Sequence, residues 1–289
     1  DSEIRKKYLL ILRKRQKFSK TMEQADILVQ QNPHNLSFQA QKAIEVMQNG
    51  DHEESIRLLE NILEKAPLDP NTLTAKGHAE KTLGRTEDAI KSYQTAYNSK
   101  HDHGEAYFSL ANLKTYKFDD EEISQMKNQL KRVDISIGDR TYFHFALAQA
   151  CESIDDYDEA FYHLDHGNHI RKQQTKYSIE MMDKEMQAQI DVCNKEFFKL
   201  MGEGGFNTKD PIFILGLPRA GSTLIEQIIA SHSLVDGTLE LPNILTMAQD
   251  LRGEDIYGTL GKYPGSMKNL SLTDRVNMGK KFIKDTEMH

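Results

Sequence analysis

Two stretches, "NGDHEESIRLLENILEKAPLDP" (49–70) and "LGRTEDAIKSYQTAYNSK" (83–100), decide the fold. They repeat one plan: a turn signal, then a helical run. Around them, compact residues recur at Leu9, Ala43, Gly77, Ala111 and Ala148, in steps of 34, 34, 34 and 37. A second series, Thr21, Ser55, Ala89, Ile123 and Ala160, keeps the same steps and trails the first by 12 residues. Such a period is the mark of a helix-turn-helix unit used repeatedly. Small side chains at both marked positions let the two helices of a unit approach closely. Asn49-Gly50-Asp51, Gly84-Arg85 and Asp155-Asp156 supply the turns, and Pro33 and Pro67 close two units.

Both stretches, and "IDDYDEAFYHL" (154–164), resemble the tetratricopeptide (TPR) repeat. The first and fourth units carry a weaker version. Residues 1–172 are therefore expected to form five stacked helical hairpins. Such a solenoid offers a concave face lined by the first helix of each pair. The register assigns His78, Lys81, Phe108, Asn112, Tyr116, Tyr142 and Phe145 to that face. A peptide or protein partner is expected there. The mixed, aromatic character of the set does not favour the acidic C-terminus of a chaperone.

Ile179, Met182, Met186, Ile190, Cys193, Phe197 and Leu200 form one apolar stripe. One helix over 178–201 follows, within a capping and linker segment at 173–205. Its stripe, Cys193 included, is expected to be packed away.

Composition narrows the function classes. The 289 residues hold 37 basic and 44 acidic side chains, a net charge of -7. That balance gives no nucleic-acid footprint and no cationic membrane surface. Cys151 and Cys193 are too few for a disulfide framework or a cysteine zinc site, so a reducing, cytoplasmic setting is expected. The longest apolar run, 212–217, is far short of the roughly 20 residues a membrane span needs. His163, His166 and His169 recur every third residue but drift round the helix, and are read as a solvated face rather than a metal site. The acid-to-base gradient of "DDEEISQMKNQLKR" (119–132) suits the helix dipole and needs no functional account.

At "MGEGGFNTKD" (201–210) the helical period breaks. Ile212-Phe213-Ile214-Leu215 then reads as a buried parallel strand. Gly216-Leu217-Pro218-Arg219-Ala220-Gly221-Ser222-Thr223 reads as a turn into a helix over 224–230. A glycine-bearing turn at a helix start is an anion site. The Gly216-x4-Gly221 spacing is that of the nucleoside triphosphate P-loop, but Ser222 stands where that motif has Lys. The cation lies inside the loop instead, at Arg219, whose fork can grip a phosphate or sulfate.

"PIFILGLPRAGSTLIEQIIASHSLVDGTLEL" (211–241) resembles the 5′-phosphosulfate-binding opening of sulfotransferases, especially the bacterial TPR-fused and tyrosylprotein types. Pro218, Arg219, Gly221, Thr223 and Leu224 match that pattern, and Ser222 exchanges hydroxyl for hydroxyl. Ala220 replaces the family's Ser, and Ser233 its Pro. Glu240 falls at the family's catalytic base. The resemblance implies a mostly α chain, a TPR solenoid followed at 206–289 by the start of an α/β, P-loop-like sulfotransferase domain. It implies 3′-phosphoadenosine-5′-phosphosulfate (PAPS) as donor, no metal, and a hydroxyl-bearing acceptor. Arg219 and the amides of Ala220, Gly221, Ser222 and Thr223 would hold the donor's 5′-phosphate, and Glu240 would act as general base. His232 is a second base candidate by the same resemblance, but its place at the end of the helix leads to the expectation that it caps or packs. Only 79 residues follow Asp210, so an incomplete domain is expected, with its 3′-phosphate site unassigned. The rival expectation is a TPR scaffold without catalysis.

Overall fold

The computed structural model describes residues 2–14, 17–113, 115–175, 177–238, 240–253 and 262–286. The chain divides into two compact units, Asp1–Tyr177 and Ser178–His289.

The first unit is a run of antiparallel helices: α1 (Ser2–Lys14) with α2 (Phe18–Gln31), α3 (Leu36–Gln48) with α4 (His52–Leu63), and α5 (Pro70–Thr82) with α6 (Thr86–Ser99). Then come α7 (Gly104–Ala111), α8 (Asp120–Leu130), and α9 (Ile137–Glu152) paired with α10 (Tyr157–Gln174). Side-chain oxygens start many of them. Asn35, Asp51, Asp69, Ser136 and Asp156 each accept an otherwise orphaned amide three residues on. Asp119 and Glu122 form a reciprocal capping box on α8.

The turns inside three hairpins share one device. Gly50 (φ 91°), Gly84 (φ 76°) and Asp155 (φ 62°) occupy equivalent left-handed positions. Glycine does this without steric cost, whereas an aspartate there is an uncommon but tolerated substitute.

The marked small residues sit where the helices meet. Leu9, Ala43, Ala111, Ala148, Thr21, Ser55, Ala89 and Ala160 are all buried. Ser55 Oγ donates to the Ala43 carbonyl at 2.8 Å, a bond between two marked positions. The fourth unit departs from the plan. Its first helix has only 8 residues, and α7 packs on α6 and α9 while α8 packs on α9. Ile123, the one large member of its series, is half-buried and too bulky for the close approach made elsewhere.

Aromatic rings fill the centre of this unit. Tyr97 stacks on Tyr107 at 4.3 Å, and Tyr107 meets Phe143 at 5.4 Å. Tyr97 and Tyr116 both donate to Glu122 Oε1 at 2.6 Å.

The second unit holds α11 (Ile179–Val192), α12 (Lys195–Met201), α13 (Ser222–Ala230), α14 (Asn243–Arg252), a 3-10 turn (Gly265–Asn269) and α15 (Leu272–Thr286). Two expectations change here. The single helix over 178–201 is broken, because Asn194 leaves the helical path and caps α12 by accepting the Phe197 amide at 2.9 Å. Its stripe is not packed away: Ile179, Met182, Met186, Ile190, Leu200 and Cys193 are exposed. Among the described residues there is also no strand. Among the described residues no backbone bond joins 212–215 to another segment, and a strand exists only through such bonds. Ile212, Phe213, Leu215 and Leu217 remain exposed. The described residues of 206–289 are helix, turn and loop, and do not display the α/β character expected there.

α15 nonetheless holds the segment before the loop. Arg275 Nη1 donates to the Met201 carbonyl at 2.9 Å, and the Phe213 and Phe282 rings lie 5.7 Å apart.

Candidate functional site

The loop at 216–221 is exposed throughout. Its first half is a tight turn: the Ala220 amide donates to the Leu217 carbonyl at 3.1 Å. Pro218 takes the second place of that turn and Arg219 the third, with φ at 66°. A positive φ at the third place is the signature of a type II turn, where Gly or Asn is usual. An arginine held there costs about 1–2 kcal/mol of backbone strain. Gly221 follows, also left-handed (φ 86°), and opens α13.

Three consequences bear on the expected anion site. The Ala220 amide, assigned to the donor by the resemblance, is engaged inside the turn. The amides of Gly221, Ser222 and Thr223 lie outside that turn. Pro218 was the available signal, since proline at that place favours a closed turn. Next, no side chain caps α13, so its first amides face solvent with the positive end of the helix dipole behind them. Finally, Arg219 makes no hydrogen bond or ion pair among the described residues, so its guanidinium is unengaged.

Past α13, the His232 ring accepts the Leu234 amide at 3.1 Å through Nδ1. That bond closes the turn after the helix. Gly237 then lies on α13: a Cβ added to it would stand 3.1 Å from Ala230 Cβ and 3.3 Å from Glu226 Oε1. This close passage brings the chain back along α13 before Glu240, which is exposed.

The first unit has a site of its own. His78, Lys81, Phe108, Asn112 and Tyr142, all expected on the concave face, line one hollow of about 130 Å³ with Glu105 and Ser109. Phe145 adjoins it, its ring 6.0 Å from that of Phe108. Tyr116 does not line it, being tied to Gln94 and Glu122 instead. His78 bridges Tyr93 OH (2.9 Å, through Nδ1) and Glu105 Oε1 (3.5 Å, through Nε2). The hydrogen bond from His78 holds the Glu105 carboxyl below its ordinary range, despite burial acting the other way. Glu105 and Ser109 were missed in the sequence because each lies three residues before a position that the repeat register singles out, Phe108 and Asn112.

One histidine expected at a solvated face is not there. His163 is buried against His144, while His166 and His169 are exposed. Among the described residues no group of three or more His, Cys, Asp or Glu could hold a metal, and no helix is long and apolar enough to cross a membrane.

Comparison with known proteins separates the two parts. Residues 9–132 match the family model "Psidin, N-terminal TPR repeats region". Residues 211–275 match the model of the sulfotransferase family. The sulfotransferase match begins at Pro211 and takes in the loop, α13, Glu240 and α14. An uncharacterized protein of Aquifex aeolicus (strain VF5) is 31% identical over 191 residues, 65% of this chain. The chain spans 24% of the length of that relative. Among solved structures, a MamA crystal structure aligns at TM-score 0.41 and 16% identity, over 57% of this chain and 95% of that one. MamA from Desulfovibrio magneticus RS-1 aligns at TM-score 0.40 and 13% identity, over 61% and 97%.

Proposed function

We propose that this protein is a sulfotransferase whose loop at Gly216–Thr223 binds the 5′-phosphosulfate end of PAPS. One observation carries the reading: an arginine unengaged among the described residues, held at a strained turn position, stands two residues before the N-cap Gly221 of a helix start that no side chain caps. The match of 211–275 to the sulfotransferase family supports it. The residues fit the group. The N–H groups of Gly221, Ser222 and Thr223 and the Arg219 fork are donors suited to an oxyanion, and a Cβ at Gly221 would meet nothing within 4 Å, so the approach is open.

The bound donor supplies an activated sulfuryl group. This chain's part is electrostatic and prototropic. Arg219 and the three amides would stabilise charge growing on the oxygen that bridges sulfur and the 5′-phosphate. The Ser222 and Thr223 hydroxyls would add donors there. Glu240 would take the acceptor hydroxyl's proton, a step typically worth about 10²–10⁴ in rate. The TPR-like unit would present a partner or acceptor along its concave face.

Transfer of labelled sulfate from PAPS to a panel of hydroxyl acceptors tests the reading, with Glu240→Gln alongside. The expected result is donor binding by both proteins, with transfer by the parent sequence carried in a complete domain and none by Glu240→Gln. Transfer unchanged in the variant would remove Glu240 as the base.

The hollow at His78, Glu105, Phe108 and Tyr142 favours a second reading, a binding scaffold. That reading expects partner capture lost on Phe108→Ala, with no response to PAPS.

A further inference from the structure

His144 on α9 and His163 on α10 are both buried, 7% and 4% exposed. Their Nδ1 atoms stand 3.0 Å apart. Two imidazole nitrogens at that distance share one proton: one ring must donate and the other accept. The far side of His163 decides which. Its Nε2 is buried without a hydrogen-bond partner and faces Glu159 Oε1 at 3.6 Å. A carboxylate opposite favours a proton on that nitrogen. His163 Nδ1 is then the acceptor and His144 the donor.

Other groups surround the pair. Lys127 of α8 reaches Glu159 at 3.4 Å. Arg140 lies on α9 itself, and His166 of α10 stacks on His144 with centroids 5.5 Å apart. α7 also packs on α9, but His103, just before it, and its Glu105 are engaged by Thr74 and His78 of α5.

We propose that this histidine pair is an acid-sensitive latch between α9 and α10. A first proton enters at His144 Nε2 and leaves the Nδ1–H···Nδ1 bond standing, though it places a charge beside Arg140 and His166. A second must enter at His163 Nδ1, the acceptor itself. Two N–H groups then oppose each other and the bond is lost. The consequence reaches the concave face, because Phe145 and Tyr142 flank His144 on α9. A latch opened by acid loosens the wall of the hollow they help to build.

The electrostatics agree in sign. Burial, then the charges of His163, His166 and Arg140, push His144 down to about 4, and burial also lowers His163. The unfolded chain, with imidazoles near 6.5, binds protons more readily across that window. The latch is closed above about pH 6.5 and its contribution is lost as pH falls toward 4.

The test is hydrogen exchange of the full chain, corrected for intrinsic pH dependence, together with ¹⁵N titration of the imidazoles. Between pH 6.5 and 4.5, protection of α10 amides is expected to fall about tenfold relative to α5. His163→Gln keeps an acceptor but takes no proton, and is expected to flatten that fall. His169→Gln, on the exposed face, is expected to leave it unchanged. Parallel falls in the parent chain and His163→Gln would overturn the latch. So would either buried ring titrating at the ordinary imidazole value, a readout that stands even if His163→Gln does not fold.

Discussion

Tyr93 lies across Gly77: a Cβ built on that glycine would stand 2.5 Å from the Tyr93 ring. The ring is fully buried and its hydroxyl is tied to His78 Nδ1, so it has little freedom to retreat. Gly77→Ala should therefore destabilise the first unit by about 1–3 kcal/mol through overpacking. The helix propensity of alanine, worth up to about 1 kcal/mol, offsets part of that cost. Urea unfolding followed by circular dichroism checks it, and a variant more stable than the parent would refute the close approach.

Glu122 ties three segments together. It accepts the hydroxyls of Tyr97 and Tyr116 and the Asp119 amide. Glu122→Gln keeps the shape but weakens the acceptor, and should cost about 1.5–3 kcal/mol. The same network sets an alkaline limit. Burial first, then the bond to Glu122, raises the Tyr97 and Tyr116 hydroxyls above their ordinary range. A phenol raised in the folded state gives stability that is present below its unfolded value near 10 and lost as pH rises beyond it. Ultraviolet titration should show these phenols ionising only with unfolding, and ionising earlier in Glu122→Gln.

Much of this solenoid was legible because its physics is local and periodic. Gly50 and Gly84 announce a left-handed turn, and Ala43, Gly77 and Ala148 mark close helix contacts. Asp155 holds the same turn geometry without a glycine, at a place that the pair Asp155-Asp156 marks as a turn in the sequence. The second unit was less legible. The stripe from Ile179 to Leu200 has helical spacing, but spacing cannot say what covers it, or that Asn194 would rather cap a new helix than extend the old one. Likewise, β-branched and aromatic residues at 212–214 favour a strand only when a neighbour supplies its bonds. At the loop the residue types gave the anion chemistry, while the loss of the Ala220 amide to a turn depends on backbone geometry.

The two thiols report the contrast between the units. Burial raises the Cys151 thiol, whereas Cys193 is exposed. A thiol reagent at neutral pH should modify Cys193 at once and Cys151 only on unfolding. Prompt reaction of both would mean that α9 is not packed as described.

Gly221→Ala probes the loop without touching a charge. A Cβ there meets nothing within 4 Å, so the whole penalty lies in the backbone, at φ 86°. That penalty is about 1–2 kcal/mol. Weakened anion binding is expected, with the unfolding of the first unit unchanged. Binding equal to the parent would show that the left-handed entry to α13 does not matter to the site.

In the proposed site, Arg219 and the open start of α13 hold the phosphate end of an activated-sulfate nucleotide. Calorimetric titration with adenosine 3′,5′-bisphosphate tests it most directly, comparing the parent protein with Arg219→Ala. Saturable, magnesium-independent binding is expected for the parent, weakened at least about tenfold in the variant by the loss of one charge-assisted contact. No binding by the parent, or equal binding by both proteins, would contradict it.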